Sequence, residues 1–322
     1  MKAIVVERFG APEVLTLKAC PDLHPGPGQV LVQVKAVGVN PVDTYVRAGL
    51  YTSKPSLPYT PGTDAAGSVL SVGTGAGRFK PGDRVYVFGG SAHSGAYAQQ
   101  LVAFEANLQF LPERLSFSQG AALGVPYATA HYGLFHRGQA AGGETVLVHG
   151  ASGGVGIGAV QLARAAGLTV FGTASTAEGR STLLREGCRQ VFDHSESGYF
   201  DQIVAATKGR GLDLILEMLA NVNLDKDLGG LAPRGRVVVI GSRGRVELDP
   251  RATMTRDADI RGLSLANATP GLLKIIHSQL FAGLDQGTLR PLIAEELPLA
   301  EAAKAHEAVM KDKKIGKIVL LP

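Results

Sequence analysis

Through the first 125 or so residues, apolar positions come in short bursts: AIVV from Ala3, QVLVQVKAVGV from Gln29, AAGSVLSVG from Ala65 and RVYVFGG from Arg84. Pro and Gly clusters such as PDLHPGPGQ and FKPGDR divide them, so this stretch predicts strands joined by turns. From about Pro126 the texture changes. The runs VLVHG, LTVFGTA, LDLILEM and RVVVIG alternate with segments of helical period, the pattern of a parallel sheet covered by helices. The clearest helix follows Gly153, where Val155, Ala159, Leu162, Ala163 and Ala166 recur at three- and four-residue steps and Gly167 supplies a stop. After Leu265 come LLKIIHSQLFAGLDQG, LAEAAKAHEAVMKD and a closing strand, KIGKIVLLP, expected to return to the first lobe. The expected class is α/β, with boundaries at 1–125, 126–265 and 266–322.

Composition narrows this picture in three ways. With 45% apolar and 19% charged residues, the 322-residue chain has enough apolar side chains for a large core, which excludes disorder. A net charge of +4 is too small to argue for a nucleic-acid groove. The two cysteines, Cys20 and Cys188, stand far apart and signal neither a disulfide framework nor a thiolate zinc knot. The opening MKAIVVERFG meets a charge after four apolar residues, too few for a secretory core, and no run reaches membrane-spanning length. A cytoplasmic protein without a membrane span is expected.

The sharpest local signal is VLVHGASGGVGIGAVQLARAAG from Val146: a strand, a Gly-rich turn and a helix in that order. Phosphate oxygens need several backbone N–H groups converging at a helix N-terminus, and only small residues let the main chain come so close. Against the pattern G-x-G-x-x-G, the first place holds Ala151, and Gly153 and Gly156 hold the second and third. A tight turn that merely packs strand on helix is the alternative; the surrounding β-α-β order favours a dinucleotide.

Sites for NAD usually place Asp or Glu about 20 residues on, to accept from the ribose hydroxyls. Here that place reads GTAST, with Ser175 and Thr176 where a carboxylate would repel a 2′-phosphate, and Arg180 follows as a partner for the dianion or as a solvated surface charge. The missing carboxylate favours NADPH over NADH.

These motifs and the two-lobe pattern resemble the NADPH:quinone oxidoreductases, the ζ-crystallin-like members of the zinc-independent medium-chain reductases. The likeness runs through essentially the whole chain. It is carried by GVNPVDTYVRAGLY from Gly38, LPYTPGTDAAG from Leu57, GVPYATA from Gly124, the VLVHGASGGVG turn, EMLANVNLDKDL from Glu217 and VVVIGSRG from Val237. The resemblance implies a β-rich GroES-like catalytic lobe and a Rossmann doubly wound parallel sheet lobe, with the cofactor in the cleft joining them. It implies that Asn40, Tyr45 and Thr129 approach the nicotinamide half of NADPH, and that Ser152, Gly153, Gly154 and Val155 hold the phosphates. Ser175, Arg180 and His194 fall near the adenosine phosphate. Asn223, Gly241, Ser242, Arg243 and a strand through Leu263, Ser264 and Leu265 line the rest of the groove. Members often carry Gly where this chain has Ser175. Local roles stay open for several of these: Asn-Pro at Asn40 opens turns, Asn223 follows a strand, and His194 follows QVF.

Zinc-dependent relatives hold a catalytic metal with Cys and His from the first lobe. Here Cys20 lies in a Pro-rich segment, Cys188 lies in the second lobe, and His24 and His93 show no metal spacing, so no metal is expected. What remains is transfer of reducing equivalents from nicotinamide to an electron-poor acceptor, a quinone first and an enone or alkenal second, with Tyr45 and Tyr51 positioning the acceptor. A non-catalytic crystallin role or binding of AU-rich RNA is the other class. The basic run KDKKIGK from Lys311 lacks interleaved aromatics and reads better as a solvated helix end. A homo-oligomer, dimer or tetramer, is expected from edge pairing through VVVIG and GLSLA.

Overall fold

The computed structural model describes residues 1–88, 95–311 and 313–322, so His93 lies outside the described residues. The chain divides into two compact units, Met1–Val125 with Pro270–Pro322, and Pro126–Thr269.

In the first unit, β1 (Lys2–Val5) and β2 (Thr16–Ala19) make a two-stranded ladder. The main strands are β3 (Gln29–Gly38), β4 (Asp64–Val72), β5 (Arg84–Val87), β6 (Gln100–Phe104) and β7 (Leu108–Phe110), with α1 (Pro41–Arg47) and the short α2 (Phe117–Gly120). In β3, Gln33 and Lys35 point outward while Val32, Val34 and Ala36 are buried, the period of two that one buried sheet face requires. The core gathers these valines with Val85, Val87 and Leu101.

The second unit carries β8 (Thr145–Val148), β9 (Thr169–Thr173), β10 (Gln190–Phe192), β11 (Leu212–Glu217), β12 (Leu231–Val239) and β13 (Asp259–Gly262). Its helices are α3 (Gly124–His131), which starts just before the unit, α4 (Gly154–Ala165), α5 (Ala177–Glu186), α6 (Tyr199–Ala206), α7 (Ala220–Gly230) and α8 (Arg251–Met254). The strands run parallel in the order β10-β9-β8-β11-β12-β13, the 3-2-1-4-5-6 arrangement of a Rossmann sheet. The order reverses between β8 and β11, and ligands of such sheets bind beyond the strand ends at that point.

After the second unit the chain adds α9 (Pro270–Gln286), β14 (Ile293–Pro298), α10 (Ala302–Val309) and β15 (Lys317–Leu321). β15 lies antiparallel to β3, with Val319 opposite Gly38, and completes a sheet ordered β14-β15-β3-β4-β5-β7.

Four expectations change. The valines of VVVIG sit at the end of β12, which is paired on both sides by β11 and β13, so they offer no edge; the outer strand is β13. Leu263, Ser264 and Leu265 do not continue a strand: β13 stops at Gly262, and bonds from Asn267 N–H to Ser264 O and from Ala268 N–H to Leu265 O turn the chain into a 3-10 helix. Ala166 is exposed at the C-cap of α4, as are Arg164 and Ala165 in the last turn of the helix. Lys317, in the run read as a solvated helix end, is buried at the start of β15.

Candidate cofactor site

The Gly-rich turn between β8 and α4 is anchored on the end of β9. Gly150 N–H donates to Thr173 Oγ1 at 3.0 Å and Ala151 N–H to Thr173 O at 2.9 Å, while Gly150 itself takes a left-handed φ of +54°. The departure from the glycine pattern at Ala151 has a steric explanation. A Cβ on Gly156 would lie 2.5 Å from the Ala151 backbone, and one on Gly172 would lie 3.1 Å from the Ala151 Cβ. Glycine at these two positions therefore leaves room for the alanine. Gly153 differs: it is the N-cap of α4, and a Cβ there would meet nothing nearer than Gly150 O at 3.6 Å. The fold does not require glycine at Gly153, which suits a place kept clear for a ligand. Ser152, Gly153, Gly154 and Val155 are all half-buried at the start of α4, where the first N–H groups of a helix lack intrahelical acceptors and its dipole favours an anion.

Beyond β9, Ser175 and Thr176 occupy the place of the usual carboxylate, both half-buried. Thr176 has a structural duty the sequence did not reveal: its Oγ1 accepts from Gly179 N–H at 3.0 Å and caps α5. Arg180 is neither free nor simply solvated, since its Nη1 pairs with the Asp193 carboxylate and donates to Ala174 O at 3.3 Å. Hydrogen bonds from Ser195, followed by the Arg180 charge, hold the Asp193 carboxyl below its ordinary range. His194 is exposed on the turn after β10.

At the end of β11, Glu217 is a junction. Its backbone oxygen accepts from Ile240 N–H at 2.8 Å and from Gly241 N–H at 3.2 Å. Its Oε1 accepts from Leu219 N–H and, at 3.2 Å, from Asn223 Nδ2. The Asn223 Oδ1 accepts in turn from Tyr199 at 3.4 Å. Asn221 Oδ1 accepts from Arg243 N–H at 2.8 Å, and a Cβ on Gly241 would lie 2.4 Å from Met218 O. Asn223, Gly241 and Arg243 are thus brought to the end of one strand pair, with Ser242 exposed beside them. Leu263 N–H donates to Val239 O at 2.9 Å, which ties the start of the 263–265 segment to the end of β12. Thr129 is buried on α3.

Under these segments lies a cluster that sequence reading missed. His149 Nε2 is 2.8 Å from Asp227 Oδ1 and 3.4 Å from Glu217 Oε2, all three side chains are buried, and one ligand atom from each falls within 4.8 Å of the others. Among the described residues it is the one group of three with the donor set of a metal site. Glu217 Oε2 and Asp227 Oδ2 accept no hydrogen bond. Burial pushes both carboxyls up to about 7 and pulls the His149 imidazole down, so near neutrality protons offset much of the buried charge. No spacing betrays residues 149, 217 and 227; the adjacency of β8 and β11 brings the first two together.

In the first unit, Asn40 is the N-cap of α1 with Pro41 at the first helical position, and its N–H donates to Asp43 Oδ2 at 2.9 Å. Asn40 is buried; its Nδ2 donates to Asp64 Oδ2 at 2.8 Å. Asp43 also accepts from Tyr97 at 3.2 Å, and burial pushes its carboxyl up to about 7. Tyr45 is half-buried on α1, and Tyr51, 36% exposed, follows it. Cys20 and Cys188 are free thiols, and burial pushes Cys188 up to about 12.

Likeness to known proteins agrees with both units. The "Alcohol dehydrogenase GroES-like domain" family matches residues 26–113 and the "Zinc-binding dehydrogenase" family matches residues 154–278. A quinone oxidoreductase of Rattus norvegicus is 48% identical over 327 residues, covering all of this chain and 98% of the relative. The structure of an Escherichia coli quinone oxidoreductase complexed with NADPH superposes with a TM-score of 0.88 at 30% identity over the whole of both chains. An NAD-dependent alcohol dehydrogenase superposes with a TM-score of 0.94 at 28% identity, again over both whole chains. The shared fold reaches beyond one chemistry, whereas the full-length identity singles out one branch of it: the chain belongs to the quinone oxidoreductase family of the medium-chain dehydrogenase fold.

Proposed function

We propose that this protein is an NADPH-dependent quinone reductase. The observation that carries the reading is the turn at Gly153: a helix N-terminus where an added Cβ would meet only Gly150 O at 3.6 Å, in a chain similar to quinone oxidoreductases along its whole length. The donors present suit NADPH. Gly153 N–H is used by Gly150 O at 3.1 Å, so the backbone N–H groups of Ser152, Gly154 and Val155 meet the pyrophosphate, and Ser175 with Thr176 leaves a 2′-phosphate unopposed by a carboxylate. Arg180, with one nitrogen engaged by Asp193, keeps further guanidinium donors for that phosphate. When bound, NADPH supplies reducing equivalents from its nicotinamide ring.

The protein's own task is placement. Asn40, Tyr45 and Thr129 orient the nicotinamide half, and the segment Asn223, Gly241 to Arg243 and Leu263 to Leu265 lines the remainder. Tyr45 and Tyr51 offer hydroxyls to the acceptor oxygen, where a donor already aimed at developing negative charge lowers the barrier. A quinone carries its own electron-withdrawing carbonyls and needs no Lewis acid, so we assign transfer without a metal ion.

The same reading includes a cytoplasmic setting, supported by two free thiols in separate units, and a homo-oligomer, supported by β13 as an outer strand with Ile260 41% exposed. A mass measurement in solution tests the latter. Among the described residues, no helix is long and apolar enough to cross a membrane. The test of function is loss of NADPH absorbance against a panel of quinones and enones, with NADH in parallel. Faster turnover of quinones with NADPH is expected. Turnover confined to enones, or nucleotide binding without turnover, refutes the assignment.

A further inference from the structure

The basic segment near the end of the chain delivers a buried ammonium. Lys317 is 5% exposed at the start of β15, where the next three residues, Ile318, Val319 and Leu320, are all buried and apolar. Its Nζ donates to Asn40 Oδ1 and, at 3.3 Å, to Asp64 Oδ2. Asn40 Nδ2 donates to the same Asp64 oxygen at 2.8 Å. Three hydrogen bonds therefore close a ring through one carboxamide, one carboxylate and one ammonium. The other Asp64 oxygen accepts from Val125 N–H at 2.8 Å, which anchors the ring at the start of α3. Gly38 on β3 gives room to the ring as well as to the chain beside it: a Cβ there would lie 2.0 Å from Ala121 O, 2.9 Å from Lys317 Cε and 3.0 Å from Asp64 Cβ.

Such a ring does something an apolar residue in its place would not. The two ends of an asparagine carboxamide are nearly equal in shape, so packing alone chooses poorly between orientations related by a half-turn. Here the half-turn would set the NH₂ against an ammonium and the carbonyl oxygen against a carboxylate, replacing two charge-assisted hydrogen bonds with two repulsions. A buried ion pair is a poor device for stability alone, because desolvation consumes most of its attraction. A carboxamide has two protons and two lone pairs; the ring uses one of each, and the oxygen also faces the Asp43 N–H in the capping box of α1, so the second proton stays free.

We propose that Lys317 and Asp64 are positioning residues for Asn40: together they fix which end of its carboxamide faces the nicotinamide half of NADPH, leaving one N–H for that contact. This rests on the assignment of Asn40 made above. The test compares wild type, Asn40→Ala, Lys317→Met and the double variant in steady-state quinone reduction, with NADPH affinity and melting temperature measured alongside. Lys317→Met is expected to lower kcat about 10-fold or more. It should leave NADPH affinity within about 3-fold, because most binding contacts lie elsewhere on the nucleotide. In the Asn40→Ala background it should cost nothing further. Asp64→Asn combined with Lys317→Met removes both charges, leaves no lone buried ion, and should melt near wild type while keeping the loss in kcat. That pair decides the matter if Lys317→Met alone does not fold. Losses that multiply with Asn40→Ala, or full activity of the neutral pair, overturn the clamp and leave the role of Asn40 standing. Unchanged kcat in Asn40→Ala overturns the assignment of Asn40, and the clamp with it.

Discussion

Gly153 and Gly156 stand three residues apart in one turn, and the structure gives them opposite reasons for being glycine. At Gly153 the backbone (φ −75°, ψ 172°) is open to any residue, and an added Cβ meets only Gly150 O at 3.6 Å. Gly153→Val loses a good N-cap and little else, about 1 kcal/mol, or roughly 2–4 °C of melting temperature for a chain of this size. In the complex, however, the branched side chain stands where phosphate oxygens must approach the first N–H groups of α4. Losing two charge-assisted hydrogen bonds at about 1.5–3 kcal/mol each weakens NADPH binding by at least about 100-fold. At Gly156 an added Cβ lies 2.5 Å from the Cα and O of Ala151, backbone that cannot move aside. Gly156→Ala is therefore expected to destabilise by about 1–3 kcal/mol. Isothermal titration with NADPH and thermal melting separate the two. Should Gly153→Val bind NADPH within about 3-fold of wild type, the assignment of this turn to phosphate is refuted.

Three further outcomes follow from the same geometry. Burial holds the Glu217 and Asp227 carboxyls at about 7. The folded chain thus keeps protons that the unfolded chain releases from about pH 4 upward, so their contribution to stability is full below about pH 4, is lost as pH rises to about 7, and is level above that. Glu217→Gln should make the fall in melting temperature between about pH 4 and 7 shallower, and an unchanged slope contradicts protonation of the buried cluster. Ser175→Asp places a carboxylate at the ribose and is expected to weaken NADPH binding about 10-fold or more while sparing NADH; equal effects on both would move the 2′-phosphate elsewhere. Arg180→Ala should cost less than Ser175→Asp in the NADPH-to-NADH ratio, because Asp193 already holds part of that guanidinium, and a larger loss would make Arg180 the principal anchor.

The strands and helices that dominate the fold were legible because burial writes a period into sequence: QVLVQVKAVG shows its two exposed positions as Gln33 and Lys35, and Ala159, Leu162 and Ala163 mark the buried face of α4. The short strands Gln190–Phe192 and Leu108–Phe110 carry three residues each, too few for any period. The phosphate turn was legible for a local reason, since its chemistry lies in consecutive residues. The His149, Glu217 and Asp227 cluster and the ring of Asn40, Asp64 and Lys317 were not, because each is assembled from strand ends and helices distant in sequence. Lys317 shows the limit most clearly. In sequence it closes a basic run that reads as solvated, and only the pairing of β15 with β3 carries it inside.

The most direct test of the account is a rapid-mixing measurement on protein treated with chelator, its residual metal quantified, in which NADPH and a quinone are supplied and nicotinamide absorbance is followed through one turnover. The account predicts transfer at the rate of untreated protein with metal reduced to a trace. A rate that falls with metal content and returns on adding zinc would contradict it.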